Sequence, residues 1–397
     1  MPPSKLQISL ESRLCNLRST PKSNIMKTLR KKCGGGGTTR LPRDSRNYSF
    51  PHLAAVSLHL MPVLTELRRV VEDRETLSRA EATTLMQRIL AGEVPEMELA
   101  ALLGAMAGRG ETAAEIAGFA QLLRAMATPL PLSEDERAGI VDTCGTGGDG
   151  SGTFNISTAA ALVAAAAGAR VAKHGNRAIT SRCGSADVLE ALGIPTELET
   201  AAAAEQLRQN GFCFLLAPAH HPALKNLMPI RRAIGVRTIL HVLGPLLNPA
   251  GARRQVMGVY ASRLVPAVAQ AMVLLGTSHG IVVHGYQGLD ELALAGPSEV
   301  AIVHEQSVKL DIVSPDAFHL SKAPLGALAG GDAQANAAIL RAIFTGERGP
   351  RRDIVLLNAA AVLIVAGVSK DLAAGVALAG ETIDSGAVVR LIVRLQQ

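Results

Sequence analysis

The densest run of candidate chemistry in the chain is DTCGTGGDGSG, residues 142–152, which continues as TFNIST to residue 158. Gly145, Gly147, Gly148 and Gly150 leave backbone N–H groups free to face an anion. A plain tight turn needs one or two glycines; four, interleaved with Thr146, Asp149, Ser151 and Thr153, exceed that need. Asn155, Ser157 and Thr158 fall where a helix should start, and unpaired N–H groups there favour negative charge. The same residues could equally serve as helix caps. The loop fits neither the Gly-x4-Gly-Lys-Ser/Thr nor the Gly-x-Gly-x-x-Gly phosphate pattern. Asp149 within it argues for a ligand with hydroxyl groups or a metal, not bare phosphate.

Three more clusters follow. KHGNR, residues 173–177, sits after a predicted strand; Lys173 can neutralise a phosphate, Asn176 can read a hydroxyl or amine, and Arg177 can orient the loop. Thr180 and Ser181 add donors before Gly184 and Ser185 open another helix. Asp290 and Glu291 close the run IVVHGYQGLDE; adjacent acids are often plain solvated charge, yet they also hold Mg²⁺ when a diphosphate supplies the other ligands. The segment from His220 to Arg237 carries Lys225, Asn226, Arg231 and Arg232 in apolar surroundings. Residues 217–254 contain no Asp or Glu, so a carboxylate gripped by Arg231 has to come from outside the segment.

These clusters need a scaffold. Two capping boxes, Ser78 with Glu81 and Thr112 with Glu115, precede apolar residues at helical spacing, and Pro95 suits a first turn between them. Residues 62–132 read as a small helical domain. From residue 133 short apolar strands (139–142, 169–172, 211–216, 255–260, 280–283) alternate with helical stretches (158–167, 186–192, 201–209, 265–275). That alternation predicts an α/β domain over 133–397 with a central, mostly parallel sheet, and ligands beyond the strand carboxyl ends.

Composition bounds the rest. Of 397 residues 48% are hydrophobic, and there is no Trp. The net charge of +6 is uneven: residues 1–47 hold eleven Lys or Arg against Glu11 and Asp44, a balance of +9, which leaves 6 − 9 = −3 for the body. Nucleic-acid binding by the body is therefore not expected. Five cysteines without CxxC spacing point to a reducing compartment and to neither disulfides nor a zinc site. The apolar run 354–366 contains Asn358 and is too short for a bilayer. Residues 1–55 read as a disordered basic extension: a misplaced start with Met26 or Met61 as the true one, an organelle-targeting segment, or a functional tail. The expected location is the cytoplasm, with organelle targeting as the lesser reading.

Taken together, GRGETAAEIAG, DTCGTGGDGSGTFNIST, KHGNRAITSRCGSADVLEALG, HPALKNLMPIRRAIGVRT, LGPLLNP and GLDE occur in one order. That set resembles the anthranilate phosphoribosyltransferase family over about residues 62–397. The resemblance implies transfer of phosphoribosyl from phosphoribosyl diphosphate to the amine of anthranilate, with Mg²⁺, in tryptophan biosynthesis. It implies a small helical domain beside a larger α/β domain, with residues 222–250 packing on the former, in a homodimer.

By motif match, phosphoribosyl diphosphate would contact Gly145, Gly148, Asp149, Thr153, Asn155, Ile156, Ser157 and Thr158. It would also contact Lys173, His174, Gly175, Asn176, Arg177, Ala178, Ile179, Thr180, Ser181 and Ser185. Anthranilate would contact Gly145, Asn176 and Arg231, with His174 and Pro245 along its path; Ser157, Asp290 and Glu291 would hold Mg²⁺. No general base is assigned. Two positions depart from the family: His241 stands where Asn is frequent, and Gln287 where Asp is usual, which removes a carboxylate near the metal pair. Two alternatives remain: a nucleic-acid-binding relative without transferase activity, and a pyrimidine nucleoside phosphorylase, whose Lys-rich loop this chain lacks.

Overall fold

The computed structural model describes residues 64–178 and 182–397. The expected basic extension, and Ile179, Thr180 and Ser181, lie outside the described residues. The described chain belongs to one unit, Leu60–Gln397.

The first helices are α1 (Thr65–Val71), α2 (Arg79–Leu90), α3 (Glu96–Arg109) and α4 (Ala113–Ala125). Both capping boxes form: the Ser78 and Thr112 side chains accept from the amides of Glu81 and Glu115, whose carboxylates accept in return. Leu85, Met86 and Ile89 of α2, Leu102 and Met106 of α3, and Ile116, Phe119 and Leu123 of α4 are buried together, as spacings of three and four residues demand. Glu115 does more than cap. Fully buried, it accepts from Leu77 N at 2.9 Å, Thr112 N at 3.0 Å and Arg109 Nη2 at 2.6 Å. Truncation would strand the Arg109 charge and two amides, so Glu115→Ala should cost about 3–5 kcal/mol. A melting temperature unchanged from wild type would refute that role.

Beyond α5 (Glu134–Ala138) the α/β part begins with β1 (Ile140–Thr143), α6 (Ile156–Ala166), β2 (Arg170–Gly175), α7 (Ser185–Ala191), α8 (Thr200–Asn210) and β3 (Phe212–Leu216). A helical segment follows: α9 (Ala217–His220), α10 (Met228–Ile234) and α11 (Ile239–Leu243). Then come β4 (Arg254–Gly258), α12 (Leu264–Leu274), β5 (His279–His284), β6 (Ser298–His304) and β7 (Ser307–Val313). The chain finishes with α13 (Ala333–Phe344), α14 (Pro350–Ala366), α15 (Leu372–Asp384) and α16 (Ala387–Leu395).

The seven strands form one sheet in the order β3-β2-β1-β4-β5-β6-β7. The first five are parallel, and β6 and β7 join antiparallel, a pair the periodicity reading did not include. Side chains alternate across the sheet, so Ile281 and Val283 enter the core with α6 and α14, while Val282 joins the core with α4 and α12. Leu227, Ile230, Ile239 and Leu240 from the segment after β3 share that second core with Leu99 and Leu102. No helix among the described residues is long and apolar enough to cross a membrane.

Candidate active site

The strand order reverses at β1. From it the chain steps outward to β2 and β3, then returns to place β4 on its other side. Loops leaving such a switch point diverge and open a crevice at the carboxyl ends. The glycine loop leaves β1 at that point.

Gly147, Gly148 and Gly150 take φ of 64°, 70° and 74°, the left-handed region that glycine enters without steric cost. Backbone and side-chain bonds tie the loop to β4 and to the segment before α13, with Tyr260 N donating to Thr146 Oγ1 at 3.2 Å and Gly330 N to Gly152 O at 2.9 Å. Thr146 N donates to Gly258 O at 2.9 Å, Ser151 N to Asp149 Oδ1 at 3.1 Å, and Thr153 Oγ1 lies 3.2 Å from Ser151 Oγ. The acid pair approaches from β5: Asp290 Oδ2 accepts from Gly147 N at 2.8 Å, and Glu291 Oε1 from Ser157 N at 3.3 Å. Glu291 thus sits at the N-terminus of α6, where the dipole stabilises a carboxylate.

Asn155 departs from the capping expectation. It precedes α6, but its side chain makes no capping bond. Asn155 Oδ1 accepts from Asn336 Nδ2 at 2.8 Å, and Asn155 Nδ2 donates to Cys183 O at 3.3 Å. Ile156 and Thr158 are buried behind it in the first turn of α6.

β2 sends its consecutive residues to opposite faces. Lys173 is 2% exposed, and its Nζ donates to Thr143 O at 2.6 Å and to Ser157 Oγ at 3.3 Å. Its ammonium therefore lies beneath the loop and braces Ser157. His174, on the other face, packs edge-on against His221 with ring centres 5.2 Å apart. Burial, then the neighbouring His221, pulls the His174 pKa down to about 3, so the ring is neutral.

Past Gly175 the KHGNR loop folds on itself. Asn176 Oδ1 accepts from Arg177 N at 2.8 Å, and Asn176 O accepts from Ser185 Oγ at 3.3 Å. Ala178 N donates to Asp187 Oδ2 at 2.9 Å. Arg177 is fully engaged, with both terminal nitrogens on Glu190 at 2.7 Å and one on Glu197 at 2.8 Å. It anchors the loop and has little left for a ligand.

Arg231 differs. It is half-buried on α10, and no hydrogen bond or ion pair to it occurs among the described residues. Burial, then Arg232, lowers its guanidinium pKa. Beside it, His241 Nδ1 accepts from Thr238 N at 3.2 Å and so caps α11. Pro245 is buried and its carbonyl accepts from Gln255 Nε2 at 2.6 Å. Gln287 is exposed and takes φ 61° in the turn before Asp290, a left-handed backbone that a residue with a Cβ disfavours.

The metal assignment can be tested on donor chemistry. Ser157, Asp290 and Glu291 border a cavity of about 10 Å³, room for one small ion or water. Burial, then Asp149, pushes the Asp290 pKa up to about 6; burial, then Asp290, pushes Glu291 well above its usual range. Two carboxylates crowded out of water call for a cation. Among the described residues no group of three or more His, Cys, Asp or Glu could hold a metal unaided. Mg²⁺ commonly takes one or two carboxylates and completes its shell with water and substrate phosphate, so these residues fit it.

Gly258 and Asn358 escaped the sequence reading as site residues, while Gly145 was read as a substrate contact. A Cβ on Gly258 would overlap the Asp290 backbone carbonyl, and one on Gly145 the Asp290 carboxylate. Asn358 pins the acid pair's neighbour, accepting from Leu292 N at 2.9 Å and donating to Leu292 O at 3.0 Å. The only signal for Asn358 was a polar residue inside an apolar run, and for Gly258 a glycine at a strand end.

The glycine loop and the acid pair thus meet at the switch point of the parallel sheet. The helical bundle domain of the glycosyl transferase family matches residues 65–127, and its a/b domain matches residues 137–389. The chain belongs to this family and, within it, to the anthranilate phosphoribosyltransferases. It is 48% identical to the anthranilate phosphoribosyltransferase of Chloroflexus aggregans over 334 residues, 84% of this chain and 97% of the relative. Identity to that of Geobacter sp. (strain M21) is 46% over 340 residues, 83% and 96% of the two chains. The crystal structure of the Thermus thermophilus enzyme superposes with a TM-score of 0.78 at 43% identity, covering 84% of this chain and 98% of that one. The Saccharomyces cerevisiae enzyme in complex with PRPP and Mg gives 0.75 at 28% identity, covering 84% and 96%.

Proposed function

We propose that this chain transfers the phosphoribosyl group of phosphoribosyl diphosphate to the amine of anthranilate, releasing pyrophosphate, in tryptophan biosynthesis. The observation that carries this reading is the closure of Asp290 and Glu291 onto the glycine loop and the start of α6. The anomeric C–O bond to pyrophosphate breaks, positive charge builds on the ribose ring, and the anthranilate nitrogen forms the new C–N bond, losing its proton afterwards. Asp290, Glu291 and Ser157 would hold Mg²⁺, which would supply positive charge against the departing diphosphate.

The glycine-loop amides receive the diphosphate oxygens, and Lys173 fixes the Ser157 hydroxyl that faces them. Gly145, Gly148, Asp149, Thr153, Asn155, Thr158 and the 173–185 loop complete the phosphoribosyl side. Arg231 grips the anthranilate carboxylate, with Asn176 and Gly145 flanking its ring. Closure of the bundle over the α/β part excludes water that would otherwise hydrolyse the donor.

Fluorescence of anthranilate falls as it is consumed, and a protein without Trp adds little background. Turnover should need phosphoribosyl diphosphate and Mg²⁺ together. Asp290→Asn should cut kcat/KM at least about 100-fold and raise the Mg²⁺ concentration for half-activity. Full activity of that variant at low Mg²⁺ would remove the pair from the metal site.

We also read the protein as a cytoplasmic homodimer. Val71 and Met97 leave the bundle with apolar side chains 50% and 85% exposed, as a covered face requires. Light scattering at one chain's mass, 41.3 kDa, would reject the dimer.

A further inference from the structure

A second cavity, of about 400 Å³, lies at the other end of the sheet. Arg253 and Thr277, which precede β4 and β5, form one wall. Arg124 at the end of α4 and Ala127 and Pro129 of the chain linking bundle to sheet form another, and Arg137 of α5 a third. None of these residues belongs to the candidate active site, which uses the opposite strand ends.

Its charge is unbalanced. Among the described residues the three guanidinium groups have one carboxylate partner, Glu134, which lies 2.9 Å from Arg253 Nη2 and 3.7 Å from Arg137 Nε. Arg137 spends its remaining nitrogens on the carbonyls of Ala250 and Leu130, at 2.8 Å each. Arg124 has no carboxylate partner among the described residues; Nε donates to Leu246 O and Nη1 to Leu275 O at 3.2 Å. Desolvation alone draws its pKa down to about 10, the signature of a cation short of a counter-charge. Among the described residues Arg124 Nη2 and the Arg253 nitrogens other than Nη2 have no partner and remain as donors, beside the polar Asn248 and Thr277 and the apolar Ala127, Pro129, Pro249, Ala252 and Leu275.

We propose that this cavity is a second ligand site, taking a small organic or inorganic oxyanion whose carboxylate or phosphate pairs with Arg124 and Arg253. Planar oxyanions suit a guanidinium fork, the apolar wall suits a carbon body, and the volume is that of a small-molecule pocket. An occupant touches α4, the linking chain and both strand starts, so it ties the bundle to the sheet and stabilises the whole.

Calorimetric titration of the full chain without Mg²⁺ tests this, with citrate as the carboxylate probe and inorganic phosphate as the other. One saturable site is expected for at least one probe, with the melting temperature raised by about 5 °C at a hundredfold excess over Kd. Arg253→Glu, on an exposed side chain, and Ala252→Phe, which fills the cavity, should each weaken that site at least tenfold. Arg231→Ala and Asp290→Asn should leave it intact. Which probe binds identifies the oxyanion. Failure of both probes to saturate, binding that survives both cavity variants, or binding lost in Arg231→Ala alone would each overturn the proposal.

Discussion

Arg231→Ala should reduce kcat/KM for anthranilate by about 30- to 1,000-fold while leaving the KM for phosphoribosyl diphosphate within about threefold of wild type. The range follows from the cost of truncating one partner of a desolvated charge pair, about 2–4 kcal/mol at 1.4 kcal/mol per tenfold. Arg231 is already half-buried and has no hydrogen-bond or ion-pair partner among the described residues, with no acid in residues 217–254 to satisfy it. The free enzyme therefore bears the desolvation cost, and a carboxylate ligand recovers it. For the same reason the variant should melt no lower than wild type, since an unpaired buried charge contributes nothing to stability. Arg231→Lys should rescue only part of the loss, because an ammonium cannot form two parallel bonds to one carboxylate. Equal losses for both substrates, or a lower melting temperature, would make Arg231 a structural residue instead.

The second large effect comes from a residue with no functional group. Gly258→Ala should lower kcat about 100-fold or more and destabilise the protein by about 1–3 kcal/mol. Gly258 ends β4, where its hydrogen atom lies against the Asp290 carbonyl, and an added methyl group would occupy the same space as that oxygen. Backbone cannot swing away as a long side chain can, so the Asp290–Glu291 segment must move. Asp290 then loses its bond to Gly147 N, and Glu291 its place at the start of α6. Thr146 N also depends on Gly258 O, so the glycine loop shifts with it. A Gly258→Ala enzyme with wild-type kcat and an unchanged Mg²⁺ requirement would show that the acid pair tolerates displacement and that its placement matters less than its charge.

Much of this was legible from the chain alone. Short apolar runs between helical stretches marked the five parallel strands and their helices to within a few residues, because strands buried on both faces read as continuous apolar segments. Reciprocal capping at Ser78 and Thr112 was readable because both partners lie three residues apart. The glycine loop was readable because no other residue enters its backbone region so freely. The β6 and β7 pair was not read as strands; β7 is exposed along most of its length, so its sequence carries little alternation.

What sequence determined, then, is which residue types stand at which spacing, and so which of them are candidates for chemistry. Tertiary structure decided which of them point into the crevice. Lys173 and His174 are neighbours in sequence, yet the pleat sends one under the glycine loop and the other to His221. Arg177 reads as a ligand residue until Glu190 and Glu197, thirteen and twenty residues on, claim its nitrogens. Asp290 meets Gly147 across 143 residues only because β4 and β5 lie beside β1, and no local pattern encodes that adjacency. Close approach and pairing are properties of the packed chain, so the roles of Gly258, Asn336 and Asn358 emerge only once distant segments are brought together.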